Sequence, residues 1–162
     1  MKRRIALCVL TVLCLLTGCV SNDNFPLGEN VACKDIAFTV PGDFLDLSAE
    51  DYAGDADFMF GKGSLIFSGH SERKDIFLTE MTLEQYTGYV ISGNKLDCSP
   101  QSYGSGYRFS YEKQSGDKTL TYVVATWEGA ENFWILQFYC PTADLEKNLP
   151  EIDIILSAVR AA

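Results

Sequence analysis

The residues best able to do chemistry are few and scattered. His70 is the single histidine, so an imidazole-activated serine or cysteine would have to use it. Ser68 and Ser71 lie nearby, but no Gly-x-Ser-x-Gly turn surrounds either, and Gly69-His70-Ser71 reads as a polar strand end. Asp43, Asp46, Glu50, Asp51, Asp55 and Asp57 could offer hard oxygen ligands to calcium, which takes about six to eight of them. Their order lacks the central glycine and terminal glutamate of an EF-hand, and it reads as a solvated acidic loop. Gly61-Lys62-Gly63 and Gly104-Ser105-Gly106 lack the following helix and the longer spacing of a phosphate loop, and read as turns. No metal site, cofactor or catalytic set is expected, and the chain is read as a non-enzyme.

The thiols and aromatics carry more. Of six cysteines, Cys33, Cys98 and Cys140 lie in the body of the chain. They allow three single pairings with one thiol left over, and sequence does not choose among these or against three buried apolar thiols. Tyr103, Tyr107, Tyr111, Tyr122, Trp127, Phe133 and Trp134 fall on adjoining strand-like runs. Tyrosine and tryptophan are enriched at contact surfaces, so this set is the expected partner surface. Cross-strand pairing that merely stabilises a sheet is the competing reading.

The N-terminus explains three of the cysteines. Lys2, Arg3 and Arg4 precede Ile5–Leu16, an apolar run broken only by Thr11. That run suits a signal h-region of roughly 7–15 residues and is short of the about 20 a spanning helix needs. It ends in Leu16-Thr17-Gly18-Cys19, which resembles the lipobox of bacterial lipoproteins. The resemblance implies cleavage between Gly18 and Cys19 and an acyl anchor on the Cys19 thiol, with Cys8 and Cys14 lost in the signal. The expected organisation is a signal peptide over 1–18, a lipidated tether over 19–32 and one domain over 33–162. Val20 is not the aspartate that resembles an inner-membrane retention signal. The expected location is therefore the extracytoplasmic side of the cell membrane, or the outer membrane of a two-membrane host.

Charge limits the partners. The formal charge of −9 becomes −12 once Lys2, Arg3 and Arg4 leave. Such a domain is repelled by nucleic acid phosphates and by anionic lipid, so its contact with the membrane is expected through the N-terminal lipid.

The elements that must position these residues are mostly strands. Residues 20–32 are polar and turn-rich, without periodicity. Ile36, Phe38 and Val40 alternate up to Pro41-Gly42. Phe58–Phe60 and Ser64–Gly69 flank a glycine turn, a hairpin signal. Thr82 and Gln85 have capping-box spacing for a helix that carries Leu83, Tyr86, Val90 and Tyr89 and ends at Gly93-Asn94. Four antiparallel strands are predicted over 95–102, 107–112, 119–127 and 133–140. Leu145, Leu149, Ile152, Ile155, Leu156 and Val159 make a final amphipathic helix. Pro150 is expected to break it, with the main helix after the proline.

Strands, a helix, four strands and a helix imply an α+β architecture, an antiparallel sheet flanked by helices. The opening Val40-Pro41-Gly42-Asp43-Phe44, the helix after Thr82, the twin tyrosine-rich strands and the ending Cys140-Pro141 … Ile155-Leu156-Ser157-Ala158-Val159 resemble the PsbP-like family. That family is named for an extrinsic photosystem II protein and includes a Ran-binding protein. The resemblance covers roughly 33–160 and implies an α/β/α sandwich acting as a non-catalytic protein-binding module, here with a partner in the envelope. A small-molecule or metal-ion-binding lipoprotein is the alternative.

Overall fold

The computed structural model describes residues 28–162. The signal peptide, Gly18 and Cys19 lie outside the described residues. A seven-stranded antiparallel sheet forms the middle layer. In spatial order its strands are β3 (Leu45–Asp46), β4 (Phe58–Lys62), β5 (Leu65–Arg73), β9 (Asn132–Pro141), β8 (Lys118–Glu128), β7 (Gly106–Ser115) and β6 (Gln101–Tyr103). A three-stranded sheet of β1 (Glu29–Cys33), β2 (Ile36–Val40) and β10 (Arg160–Ala161) has β2 at its centre. The α+β expectation is met.

Strand alternation puts two apolar sets on opposite faces of the large sheet. Phe67, Val123, Ala125, Trp134, Leu136 and Phe138 join Ile36, Phe38 and Val40 of β2 and Ile152, Ile155 and Leu156 of helix α2 (Leu145–Ser157). Phe109, Val124 and Phe133 point the other way, onto Leu83, Tyr86, Val90 and Ile91 of helix α1 (Leu83–Gly93). β9 buries Trp134, Leu136, Phe138 and Cys140 on the α2 side and Phe133 on the α1 side, where Ile135, Gln137 and Tyr139 are half-buried, so its sequence is apolar at nearly every position.

Helix α1 starts where its sequence signals. Gln85 N–H donates to Thr82 Oγ1 at 3.2 Å, and Thr82 N–H donates back to Gln85 Oε1 at 2.9 Å. Tyr89 does not join the buried stripe; it is 48% exposed. At the α1–β8 contact, the buried Thr87 and Thr126 hydroxyls share a hydrogen bond of 2.6 Å.

Three element boundaries differ from the sequence reading. Glu29–Cys33, placed mostly in the tether, is strand β1 and pairs with β2 along its length. Only Val31 and Cys33 of it turn toward the core, too short an alternation to signal a strand; pairing to β2 makes it one. Residues 95–100 are not a strand, and only Gln101–Tyr103 pairs with β7. Lys95 has φ 54°, and Pro100 has no N–H for a ladder. Pro150 does not break α2, which runs through it. The proline is on the exposed side, where the Glu146 carbonyl freed by the missing N–H can be hydrated, and the buried stripe passes behind it.

Candidate functional site

Asp35 sits in the turn between β1 and β2 and ties that hairpin to the β8–β9 turn. Its carboxylate accepts from Trp134 Nε1 at 2.8 Å, Glu131 N at 2.7 Å and Asn132 N at 2.9 Å. Burial pushes its pKa up, but these donors outweigh burial and hold it below the usual carboxylate value. Lys34, adjacent, donates to Asp57 and Ser71 at 2.5 Å each. An open cavity of about 630 Å³ lies here, lined by Lys34, Asp35, Ser71, Arg73, Ala130, Glu131 and Asn132. Its wall is polar and charged, unlike the apolar clefts that hold small molecules. Lys34, Asp35 and Ser71 of that wall are engaged in hydrogen bonds that tie the β1–β2 turn to the large sheet.

The acids and the histidine do not assemble a reaction centre among the described residues. Asp43 pairs with Lys62 at 2.6 Å, and Asp46 accepts from Ser48 N at 2.9 Å. Asp57 holds Lys34 and Ser71 N–H, the latter at 2.7 Å. His70 Nδ1 is 4.0 Å from Asp55, which is fully exposed. No three His, Cys, Asp or Glu side chains converge among the described residues.

Among the described residues the cysteines, Cys33, Cys98 and Cys140, are free. Cys33 and Cys140 pack on the α2 side of the large sheet and Cys98 on the α1 side. The sheet thus separates Cys98 from the other two, and no bridge joins any pair. Burial raises the Cys33 and Cys98 thiol pKa values, which disfavours the reactive thiolate.

The aromatic set is divided and needs correcting as a partner surface. Trp134 is fully buried and Trp127 is 6% exposed, both in the α2-side core. Neither is available to a partner. Tyr103 lies on that side too, with the Arg108 guanidinium 5.5 Å from its ring. Tyr107 and Tyr111 lie half-buried on the α1 side. Strand register explains the split, since neighbours along a strand face opposite ways.

Register also assembles a different aromatic group. Tyr111, Tyr122 and Tyr139 stand directly opposite one another on β7, β8 and β9, and Ile66 of β5 stands opposite Tyr139. The rings stack at 4.8 Å and 1° between Tyr111 and Tyr122, and at 5.4 Å and 27° between Tyr122 and Tyr139. All four side chains are half-buried. They form one apolar strip on the α1 face, beyond the part of the sheet the helix covers. The sequence reading left out Tyr139 and Ile66. The signal that would have found them is the pairing register set by the β8–β9 turn.

No family model matches the chain, and no curated protein matches its sequence. Solved structures do share its fold. A crystal structure from Bacteroides thetaiotaomicron superposes with a TM-score of 0.59 at 12% identity over 85% of this chain, which spans 48% of that protein. The Ran-binding protein Mog1p of Saccharomyces cerevisiae superposes at 0.51 with 10% identity, over 82% of this chain and 94% of Mog1p. LpqN, involved in cell envelope biogenesis of Mycobacterium tuberculosis, superposes at 0.52 with 10% identity, over 86% and 93%. The chain therefore has the fold that Mog1p and LpqN share, the α+β fold that the PsbP-like resemblance implied. At these identities the likeness covers fold alone.

Proposed function

We propose that this chain is an extracytoplasmic lipoprotein, anchored by an acyl group on Cys19 in the cell or outer membrane, whose domain binds another protein and catalyses nothing. The observation that carries this reading is the strip of Tyr111, Tyr122, Tyr139 and Ile66, a contiguous half-exposed aromatic and aliphatic surface across four strands. Rigid aromatic side chains supply large contact area at little entropic cost, which suits a binding surface. The polar cavity beside Asp35 and the dispersed acids lend no comparable support to a ligand or metal site. Two neighbours in fold agree with the reading: Mog1p is a Ran-binding protein, and LpqN is involved in cell envelope biogenesis.

The test is to cross-link the lipidated chain in its own cells and identify what co-purifies, with Cys19→Ala as the unanchored control. A reproducible envelope protein, lost with Cys19→Ala, is expected. A chain that carries no acyl group, or that is lipidated but captures nothing reproducibly, contradicts the reading.

A further inference from the structure

The most exposed large apolar side chain of the domain is Ile76, 98% accessible, and Phe77 beside it is 66% accessible. They form the tip of the loop that follows β5. This loop is tightly built. Asp75 Oδ1 accepts from Phe77 N at 3.0 Å and Leu78 N at 3.2 Å. Thr79 donates to the Asp75 carbonyl through N–H at 2.8 Å and through Oγ1 at 2.5 Å. Leu78 is buried in the α1-side core and fixes the base of the loop. Tyr89 of α1 stands beside the tip, its ring 6.4 Å from that of Phe77. The domain thus holds an isoleucine and a phenylalanine out in water on a fixed scaffold.

We propose that Ile76 and Phe77, flanked by Tyr89, enter the boundary between headgroups and acyl chains of the membrane that carries Cys19. The inference rests on the anchored reading above. Three observations favour a lipid surface over a protein. Ile76 stands almost wholly clear of its neighbours, whereas protein hot spots sit in well-packed patches ringed by other contacts. The N–H groups of Phe77, Leu78 and Thr79 are already satisfied within the loop, so this backbone carries fewer unmet donors out of water. Interfacial segments bury isoleucine and phenylalanine and keep tyrosine at headgroup level, the distribution found here.

The anchor reaches. The β5–β9 register puts the loop at the same end of the large sheet as the β8–β9 turn and Asp35. Strand β1 then carries Gly28 about 17 Å away from that end. Nine residue steps separate Cys19 from Gly28, a reach of roughly 30 Å. The tether can therefore return to the same bilayer. Tethering also raises the local lipid concentration, so two side chains too few to bind alone suffice to orient the domain. In this pose the tyrosine strip lies toward the far end of the sheet, away from the membrane. The charge of −12 gives anionic lipid no pull, so the contact is driven by the apolar tip.

The experiment uses the full lipidated chain in phosphatidylcholine vesicles containing brominated phosphatidylcholine, with no other protein present. Phe77→Trp is compared with Asp117→Trp, which sits in the β7–β8 hairpin at the opposite end. The native Trp127 and Trp134 are a common background. Bromine quenching at least twofold greater for Phe77→Trp is expected, falling when Ile76→Ser is added. Replacing a third of the lipid with phosphatidylglycerol is expected to leave it unchanged or lower it. Equal quenching at the two positions, in a chain that floats with the vesicles and carries its acyl group by mass spectrometry, overturns this inference alone; a knob reserved for a protein partner gives that result. A rise with phosphatidylglycerol overturns the apolar mechanism. Failure to float, with no acyl mass on Cys19, overturns the anchored reading and this inference with it.

Discussion

At the residue scale, Asp35 decides how the two sheets meet. One carboxylate satisfies two backbone donors of the β8–β9 turn and the indole of the fully buried Trp134. Gly129 lies so close that any Cβ there would strike the carboxylate. Removing the acceptor strands the indole N–H, which costs about 1–3 kcal/mol. Asp35→Ala is expected to lower stability by that amount in urea unfolding. The sign of the pH dependence follows from the lowered pKa. The carboxylate's contribution is complete above its unfolded value of about 3.9 and is lost as pH falls through its lower folded value. The stability gap between wild type and Asp35→Asn should be full near neutral pH and close in strong acid. None of this was legible in the sequence, where Asp35 is one acid among many; its partners lie almost a hundred residues away.

At the element scale, what was legible was what short-range chemistry determines. The Thr82–Gln85 box places the start of α1, and Thr82→Ala should cost about 1 kcal/mol, measured as a shift in denaturation midpoint without a change in slope. The alternation at Tyr107, Phe109 and Tyr111 likewise marks β7. Elements made by tertiary contact were not legible. β1 is a strand because β2 pairs with it. α2 survives Pro150 because the helix is held by Ile152, Ile155 and Leu156 on its other side. Trp134 looked like contact surface because tryptophan is common there, but β9 is central and its register turns Trp134 into the α2-side core. The tyrosine strip needs three strands in register before it exists, so only its β7 and β8 members were visible as single residues.

At the scale of the whole molecule, one sheet divides two cores, and each core is closed by a helix. Leu136, fully buried among Trp134, Phe138 and the α2 stripe, lies at the centre of the larger one. Leu136→Ala should cost about 2–5 kcal/mol in equilibrium unfolding, a range set by how far the cavity collapses. Tyr111 and Tyr122 of the strip pack against the edge of the α1-side core and Tyr139 stacks on Tyr122, yet all three side chains stay half-exposed. Binding is the role proposed for its exposed side. The most direct measurement is site-specific photo-cross-linking in living cells, with a photoreactive amino acid replacing Tyr122 in one strain and Asp117 in another. A single protein adduct at position 122, absent at 117 and abolished by Tyr139→Ala in a chain that still folds, is the expected result. Equal labelling at both positions, or none at Tyr122 while the domain is folded and anchored, would contradict a binding role for this face.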